Sequence, residues 1–124
     1  ACGGDDRRYS WGETWQAGHC NNKESGLETT SPVGLFPQGA APGGLQDMAG
    51  QVWEWCRDWY EQDYYSRSAE ARNPAGPETG EYRVLRGGSW AGDSKSCRCG
   101  YRIRDVAGIR SSSIGFRCAR SLSS

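Results

Sequence analysis

The amino-acid sequence predicts a loop-rich α+β domain with few regular elements. Three observations lead there. Glycine alone supplies 18 of the 124 residues. No apolar repeat keeps a helical period over any length. Only two short runs alternate as strands do, and most of the rest is Gly, Pro, Ser, Asn and Asp, the residues of turns. A chain of 124 residues suits one domain, so residues 1–124 are read as a single unit.

The elements follow in chain order. From Gly50 to Tyr65, the residues Val52, Trp53, Trp55, Cys56 and Trp59 recur at mixed spacing. Arg57, Asp58, Glu61 and Gln62 would form a polar face, so the run reads as a short helix or an irregular turn. Glu70 to Gly80 is a solvated connector. Glu81 to Arg86 alternates and ends at Gly87-Gly88, which reads as a strand and its stop. Ile114 to Ala119 alternates Ile, Phe and Cys with Gly and Arg and reads as a second strand. Long loops inside a compact domain are uncommon, and are often functional or pinned by ions or disulfides.

Composition narrows the function. Lys and Arg number 15 and Asp and Glu number 15, so the formal net charge is zero. A general nucleic-acid binder needs a basic excess to displace counterions, and a polybasic membrane anchor needs one too. No apolar run approaches the roughly 20 residues that span a bilayer. No signal-peptide pattern opens the chain, and it starts at Ala1, which reads as a chain whose upstream portion was removed or left out. Hydrophobic residues make up only 35%, a warning of disorder that six Trp and six Tyr answer by supplying large apolar bodies. Six cysteines are many for this length. They suggest disulfides and an oxidising compartment, favouring an extracellular or cell-surface location, or else thiol or metal chemistry. Zinc is disfavoured. There is one Cys-x-Cys (Cys97, Cys99), no Cys-x-x-Cys, and His19 is the single histidine. The pairing of Cys20, Cys56, Cys97 and Cys99 stays open, because four cysteines allow three pairings.

Four strings then stand in sequence. They are Tyr9-Ser-Trp-Gly12; Thr30-Ser-Pro-Val-Gly34 with Phe36-Pro37; Asp47-Met-Ala-Gly-Gln-Val-Trp-Glu-Trp55 with Asp58-Trp59; and Arg83-Val-Leu-Arg-Gly-Gly-Ser-Trp90, closing at Gly115-Phe-Arg-Cys118. In this order and at these distances they resemble the formylglycine-generating-enzyme-like (sulfatase-modifying factor) family, over about Cys2 to Arg120. The resemblance implies a C-type-lectin-like fold, of which this chain would be the C-terminal half. A fragment of that kind would leave part of its core open or filled by a partner, either the N-terminal half or another copy of the chain.

The catalytic members of that family oxidise a cysteine with two thiols that hold copper(I), an ion that suits soft thiolates. The motif puts those thiols at Gly92 and Cys97, so the first is missing and copper is not expected. The segment Ala91–Ser113 looks instead like the variable region of diversity-generating-retroelement target proteins. It contains no Glu, Gln, Met or Trp, and Lys95 is the one departure from the residues that mutagenised adenine codons allow. The resemblance implies a non-catalytic domain that displays Ala91, Gly92, Asp93, Ser96, Tyr101, Ile103, Asp105, Ile109, Ser111, Ser112 and Ser113 to a protein or other macromolecular ligand. Tyrosine offers contact area at low entropy cost there, and Ser and Gly offer adaptable contacts. Two alternatives stand beside it. One is a copper-dependent oxidase or its degenerate relative. The other is a regulatory domain fused to an upstream enzyme such as a kinase or protease.

The family also implies structural calcium, an ion that takes oxygen ligands from irregular loops. Carried over, one site uses the side chains of Asp47 and Glu54 with the carbonyls of Gly50 and Val52. A second falls on Asn21, Asn22, Ser25 and Leu27, where Ser25 stands in place of a carboxylate. Cys2 and Cys118 match a disulfide of some relatives. The strings carrying Trp53, Trp55, Trp59 and Trp90 are expected to pack in the core. Arg83, Arg86, Arg102 and Arg117 are expected to hold loops through ion pairs and carbonyl contacts.

Overall fold

The computed structural model describes residues 4–72 and 74–122. Among the described residues one sheet has four strands: β1 (Trp53–Trp59), β2 (Tyr82–Arg86), β3 (Arg102–Val106) and β4 (Ile114–Gly115), in the spatial order β3-β2-β1-β4. β1 and β2 are antiparallel, with a register irregularity between Trp55 and Trp59. β2 and β3 are antiparallel over all five pairs from Tyr82↔Val106 to Arg86↔Arg102. β4 runs parallel to the start of β1. One helical turn, α1 (Tyr64–Arg67), follows β1, and three 3-10 turns lie at Lys23–Ser25, Pro37–Gly39 and Ser94–Cys97. Mixed strands, little helix and long loops match the α+β, loop-rich expectation.

Three elements depart from the sequence reading. The Trp-rich run is a strand, not a helix or turn. Its aromatics favour pleated surfaces, and its two faces are both half covered, which erases the alternation that would have marked it. β3 was not expected at all. Arg102-Ile-Arg-Asp-Val106 is a half-exposed edge strand, so little apolar patterning betrays it. The last strand stops at Gly115, and Phe116 is 74% exposed rather than paired.

The core is small. Leu85 at 0% exposure and Val84 bury the centre of β2. Cys20, Ala49 and Cys97 form a second buried cluster, against which Trp11 and Trp15 pack. Tyr9 stacks on Trp11 with ring centres 5.2 Å apart, and His19 meets Trp11 edge-on. None of the four expected core tryptophans is fully buried; each is half-buried. The accessible surface, 8371 Å², exceeds the roughly 6,600 Å² that size scaling gives a compact chain of this mass.

Between these clusters the interior is polar, and hydrogen bonds do the organising. Gln51 is the hub. Its Oε1 accepts from the Ser31 N–H at 2.8 Å and from Asn21 Nδ2 at 3.2 Å, while its Nε2 donates to the Ser31 carbonyl at 3.0 Å. Its backbone N–H donates to the Asn21 carbonyl at 2.7 Å, and its own carbonyl accepts from the Trp90 N–H at 2.9 Å. One buried amide therefore ties together the loops around residues 21, 31 and 90.

Candidate functional site

Ala91–Ser113 leaves the sheet where β2 ends. Gly87 and Gly88 carry φ values of 100° and 76°, in the region that favours glycine. At Gly88 a close approach adds to that need, since a Cβ there would lie 2.9 Å from the Cys97 Sγ. The Gly-Gly pair thus lets the backbone lie on the Cys97 thiol. The Asp93 carboxylate accepts the Ser96 N–H at 3.1 Å and caps the turn Ser94–Cys97. That turn aims Ser96 and Cys97 inward.

Cys97 meets Cys20 across 77 positions of sequence, and each is 3% exposed. The Cys20 thiol hydrogen-bonds the Cys97 sulfur, which the Gly50 backbone and Ser96 also support. Those contacts, led by the one from Cys20, lower the Cys97 pKa below the ordinary thiol range. Cys20, as the proton holder and by burial, is pushed well above it. The first proton of the pair therefore leaves Cys97 more readily than Cys20. Cys97 also lines a cavity of about 170 Å³ whose other walls include Met48, Cys56, Glu54 and Arg86. Burial raises the Cys56 thiol. Sequence reasoning missed Cys20 as Cys97's partner; no spacing rule links them.

Gly92, the position aligned with the family's first thiol, would admit a side chain only if the Ser96 hydroxyl turned away. A Cβ there would lie 2.6 Å from Ser96 Oγ. The Gly92 carbonyl accepts the Lys23 N–H at 2.9 Å, tying this loop to the first 3-10 turn.

The expected display positions divide. Ala91, Asp93, Ile109, Ser111 and Ser112 are exposed. Gly92, Tyr101, Ile103, Asp105 and Ser113 are half-buried. Ser96 is buried, with its hydroxyl donating to the Asp93 carbonyl at 2.9 Å, so it displays nothing. Two tryptophans that sequence reasoning assigned to the core form the floor beneath this rim. Trp53 lies 6.1 Å from the Tyr101 ring and donates its N–H to the Ser113 carbonyl at 2.7 Å. The Trp90 indole donates to the Ser112 carbonyl at 3.2 Å. Ile103 and Asp105 stand apart on β3, opposite Leu85 and Arg83.

Several of the oxygens expected to hold calcium accept the chain's own donors. Arg117 Nε and Nη2 reach the two Glu54 oxygens at 2.7 and 2.6 Å, and the same guanidinium donates to the carbonyls of Gln46 and Asp47. Asp47 Oδ2 accepts the Gly34 N–H at 2.9 Å. Gly50 and Val52 lie along the same loop. At the second set, the Ser25 hydroxyl donates to Asn21 Oδ1 at 2.7 Å and contacts the Asn22 carbonyl at 2.8 Å, next to Leu27, whose N–H lies 3.4 Å from that hydroxyl. A guanidinium sits on the first set and a hydroxyl on the second, and each would have to move for calcium to bind there. Among the described residues no three His, Cys, Asp or Glu side chains cluster as a metal site.

The disulfide expected between Cys2 and Cys118 needs correction. Cys2 lies outside the described residues, while Cys118 is an exposed free thiol and Cys99 is disulfide-bonded. The end of β4 at Gly115 leaves the following residues, Cys118 among them, exposed and off the sheet. The arginines behave as expected. Arg83 donates to the Arg57 carbonyl and stacks over Trp59 at 3.6 Å, Arg86 reaches the Cys99 carbonyl at 3.1 Å, and Arg102 reaches the Glu61 carbonyl at 3.0 Å.

Comparison with known proteins completes the site. The Sulfatase-modifying factor enzyme 1-like domain matches residues 1–122. A protein named Serine/threonine-protein kinase pkn1 from Chlamydia caviae is 46% identical over 122 residues, which is 97% of this chain and 19% of that protein. A Formylglycine-generating enzyme from Streptomyces coelicolor is 39% identical, over 91% of this chain and 40% of the enzyme. Among solved structures, Treponema denticola variable protein 1 superposes with a TM-score of 0.73 at 32% identity, covering 92% of this chain and 41% of that one. The chain thus spans less than half the length of these relatives.

Proposed function

This chain belongs to the sulfatase-modifying factor enzyme 1-like family, and we propose that within it the chain is a non-catalytic binding domain whose Ala91–Ser113 surface recognises a protein ligand. The observation that carries this reading is Gly92. The two-thiol centre of a cysteine oxidase needs a sulfur there, and the space that its Cβ would take is filled by Ser96 Oγ at 2.6 Å. The likeness to a variable protein supports the same reading, as does a rim of small residues and Tyr101 over Trp53 and Trp90. A binding role also suits a module of a larger protein, as in the kinase-named relative that this chain matches over 19% of its length.

The test is oxidation of a cysteine-containing peptide by the chain loaded anaerobically with cuprous ion and then given oxygen, followed by mass spectrometry. No turnover is expected. Catalytic formation of an oxidised peptide overturns the reading.

One observation favours a second reading, a copper-dependent oxidase or its degenerate relative. Cys20 supplies a second sulfur beside Cys97 although Gly92 does not. Soft thiolates suit cuprous ion, which would supply oxygen activation when bound. This chain's residues would hold it by Cys97, the readier of the two to lose its proton, and by Cys20 once it gave up its own. Stoichiometric cuprous binding lost in both Cys20→Ser and Cys97→Ser, together with peptide turnover, is the result that selects this reading.

A further inference from the structure

We propose that the arginine–tyrosine face of β3 is a docking groove for an acidic peptide segment of a partner protein. This goes beyond the binding surface inferred above, because it uses the face of β3 opposite Ile103 and Asp105 and shares only Tyr101 with the display positions. Alternation sends Ile103 and Asp105 to one face and Arg102 and Arg104 to the opposite one.

The arginines there are unusually placed. Arg102 lies over Tyr60 at 4.5 Å and over Tyr65 at 4.4 Å. Arg104 lies over Tyr60 at 5.1 Å and over Tyr82 at 5.0 Å. Arg98 lies over Tyr101 at 5.6 Å. Ion pairs between side chains of the described residues go to Arg7, Arg8, Arg67 and Arg117, and none reaches Arg98, Arg102 or Arg104. Arg98 spends one N–H on the Lys95 carbonyl, and Arg102 spends one nitrogen on the carbonyls of Glu61 and Gln62. Arg104 makes no side-chain hydrogen bond among the described residues. Each guanidinium therefore lies against a tyrosine ring, has no ion-pair partner among the described residues, and keeps N–H edges to spare.

Such a fork matches a carboxylate in a bidentate manner, and the stacked ring has already removed much of the side chain's freedom. Arg98, Tyr101, Arg102 and Tyr60 line a groove of about 650 Å³, which also reaches Arg8 and Glu13. Those last two pair with each other at 3.4 Å. Asp6 lines the groove as well, an acid that would repel a uniformly charged polyanion but accept a peptide N–H or a basic residue. The chain as a whole has no basic excess to hold a nucleic acid. β3 is the edge of the sheet, so its outer side can also accept an extended chain.

The test uses the full chain and a fluorescein-labelled peptide of alternating Glu and Gly, followed by anisotropy at low and physiological salt. The same peptide with Gln for Glu, inorganic phosphate, and a single-stranded oligonucleotide of equal charge serve as competitors. The Glu peptide is expected to bind at least about tenfold more tightly than the Gln peptide. Arg104→Gln, which removes no hydrogen bond or ion pair among the described residues, should weaken it about fivefold, and Arg98→Gln comparably. Arg104→Lys, which keeps the charge but loses the fork, should fall between. Val33→Ala, at an exposed position outside both this face and the rim, should leave the affinity unchanged. Equal binding of the two peptides overturns the proposal. So does parent-like affinity in Arg104→Gln and Arg98→Gln, tighter capture of the oligonucleotide, or loss of binding in Val33→Ala. None of these outcomes bears on peptide oxidation, so this proposal and the non-catalytic reading fail separately.

Discussion

Two regions of this molecule use polar chemistry in opposite ways. Beneath the 91–97 loop, two thiols and a hub amide are buried and satisfied by one another. On the outer face of β3, arginines are half-exposed, stacked on rings and short of partners. Burial in the first region makes each donor answerable to a specific acceptor, because an unpaired buried group costs its full desolvation. Exposure in the second relaxes that demand, so charge can be left over for a ligand. The first region is accordingly where substitutions should unfold the chain, and the second is where they should change only what it binds.

The largest effect is expected at the hub. Gln51→Ala leaves the Ser31 N–H and carbonyl without their side-chain partner and takes one of two acceptors from Asn21 Nδ2, which keeps the Thr29 carbonyl, at a cost of about 2–4 kcal/mol, read as a fall in denaturation midpoint at unchanged slope. A loss below about 0.5 kcal/mol would mean that the three loops hold together without it. Next comes Gly88→Ala. The added carbon meets the Cys97 sulfur at 2.9 Å at a φ of 76°, so about 1–3 kcal/mol should be lost. Gly92→Cys should cost about 1–2 kcal/mol through its clash with Ser96, and Gly92→Cys with Ser96→Gly should recover most of that. Failure of the second change to rescue the first would show that Ser96 is not what excludes a side chain.

A smaller signal tests the thiol pair without unfolding it. Cys97 is depressed below the usual thiol range by the Cys20 S–H first and by its other donors after that. Thiolate absorbance near 240 nm should therefore rise at lower pH than for an ordinary cysteine. Cys20→Ala removes the main donor and should move that rise to higher pH, while Cys97→Ser should abolish it. The smallest stability effect is expected on the arginine face. Arg104→Gln should change the midpoint by no more than about 0.5 kcal/mol, and a larger loss would make that arginine part of the scaffold.

The parts that could be read in advance were those with local signatures. Gly87-Gly88 after an alternating run marked the end of β2, and the four motif strings carried the family. β1 was misread because its faces are both half covered, so period 2 never surfaced among its tryptophans. β3 escaped because an edge strand rich in arginine looks like loop. Within the site, Asp93 and Gly92 were visible as positions but not as roles. Nothing local says that Asp93 caps a turn or that Ser96 faces inward. Trp53 and Trp90 were placed in the core when they floor the rim, since a half-buried indole has the same letter as a buried one.

From the sequence alone came the family, the loop-rich class and the missing thiol at Gly92, because each rests on residue type at a fixed place in a motif. Only the tertiary structure decided that Cys20 stands beside Cys97, that Arg117 occupies the Glu54 carboxylate, and that arginines and tyrosines share one face of β3. Those are contacts across long stretches of chain. They depend on which loops the buried hydrogen bonds bring together, and no local pattern encodes that.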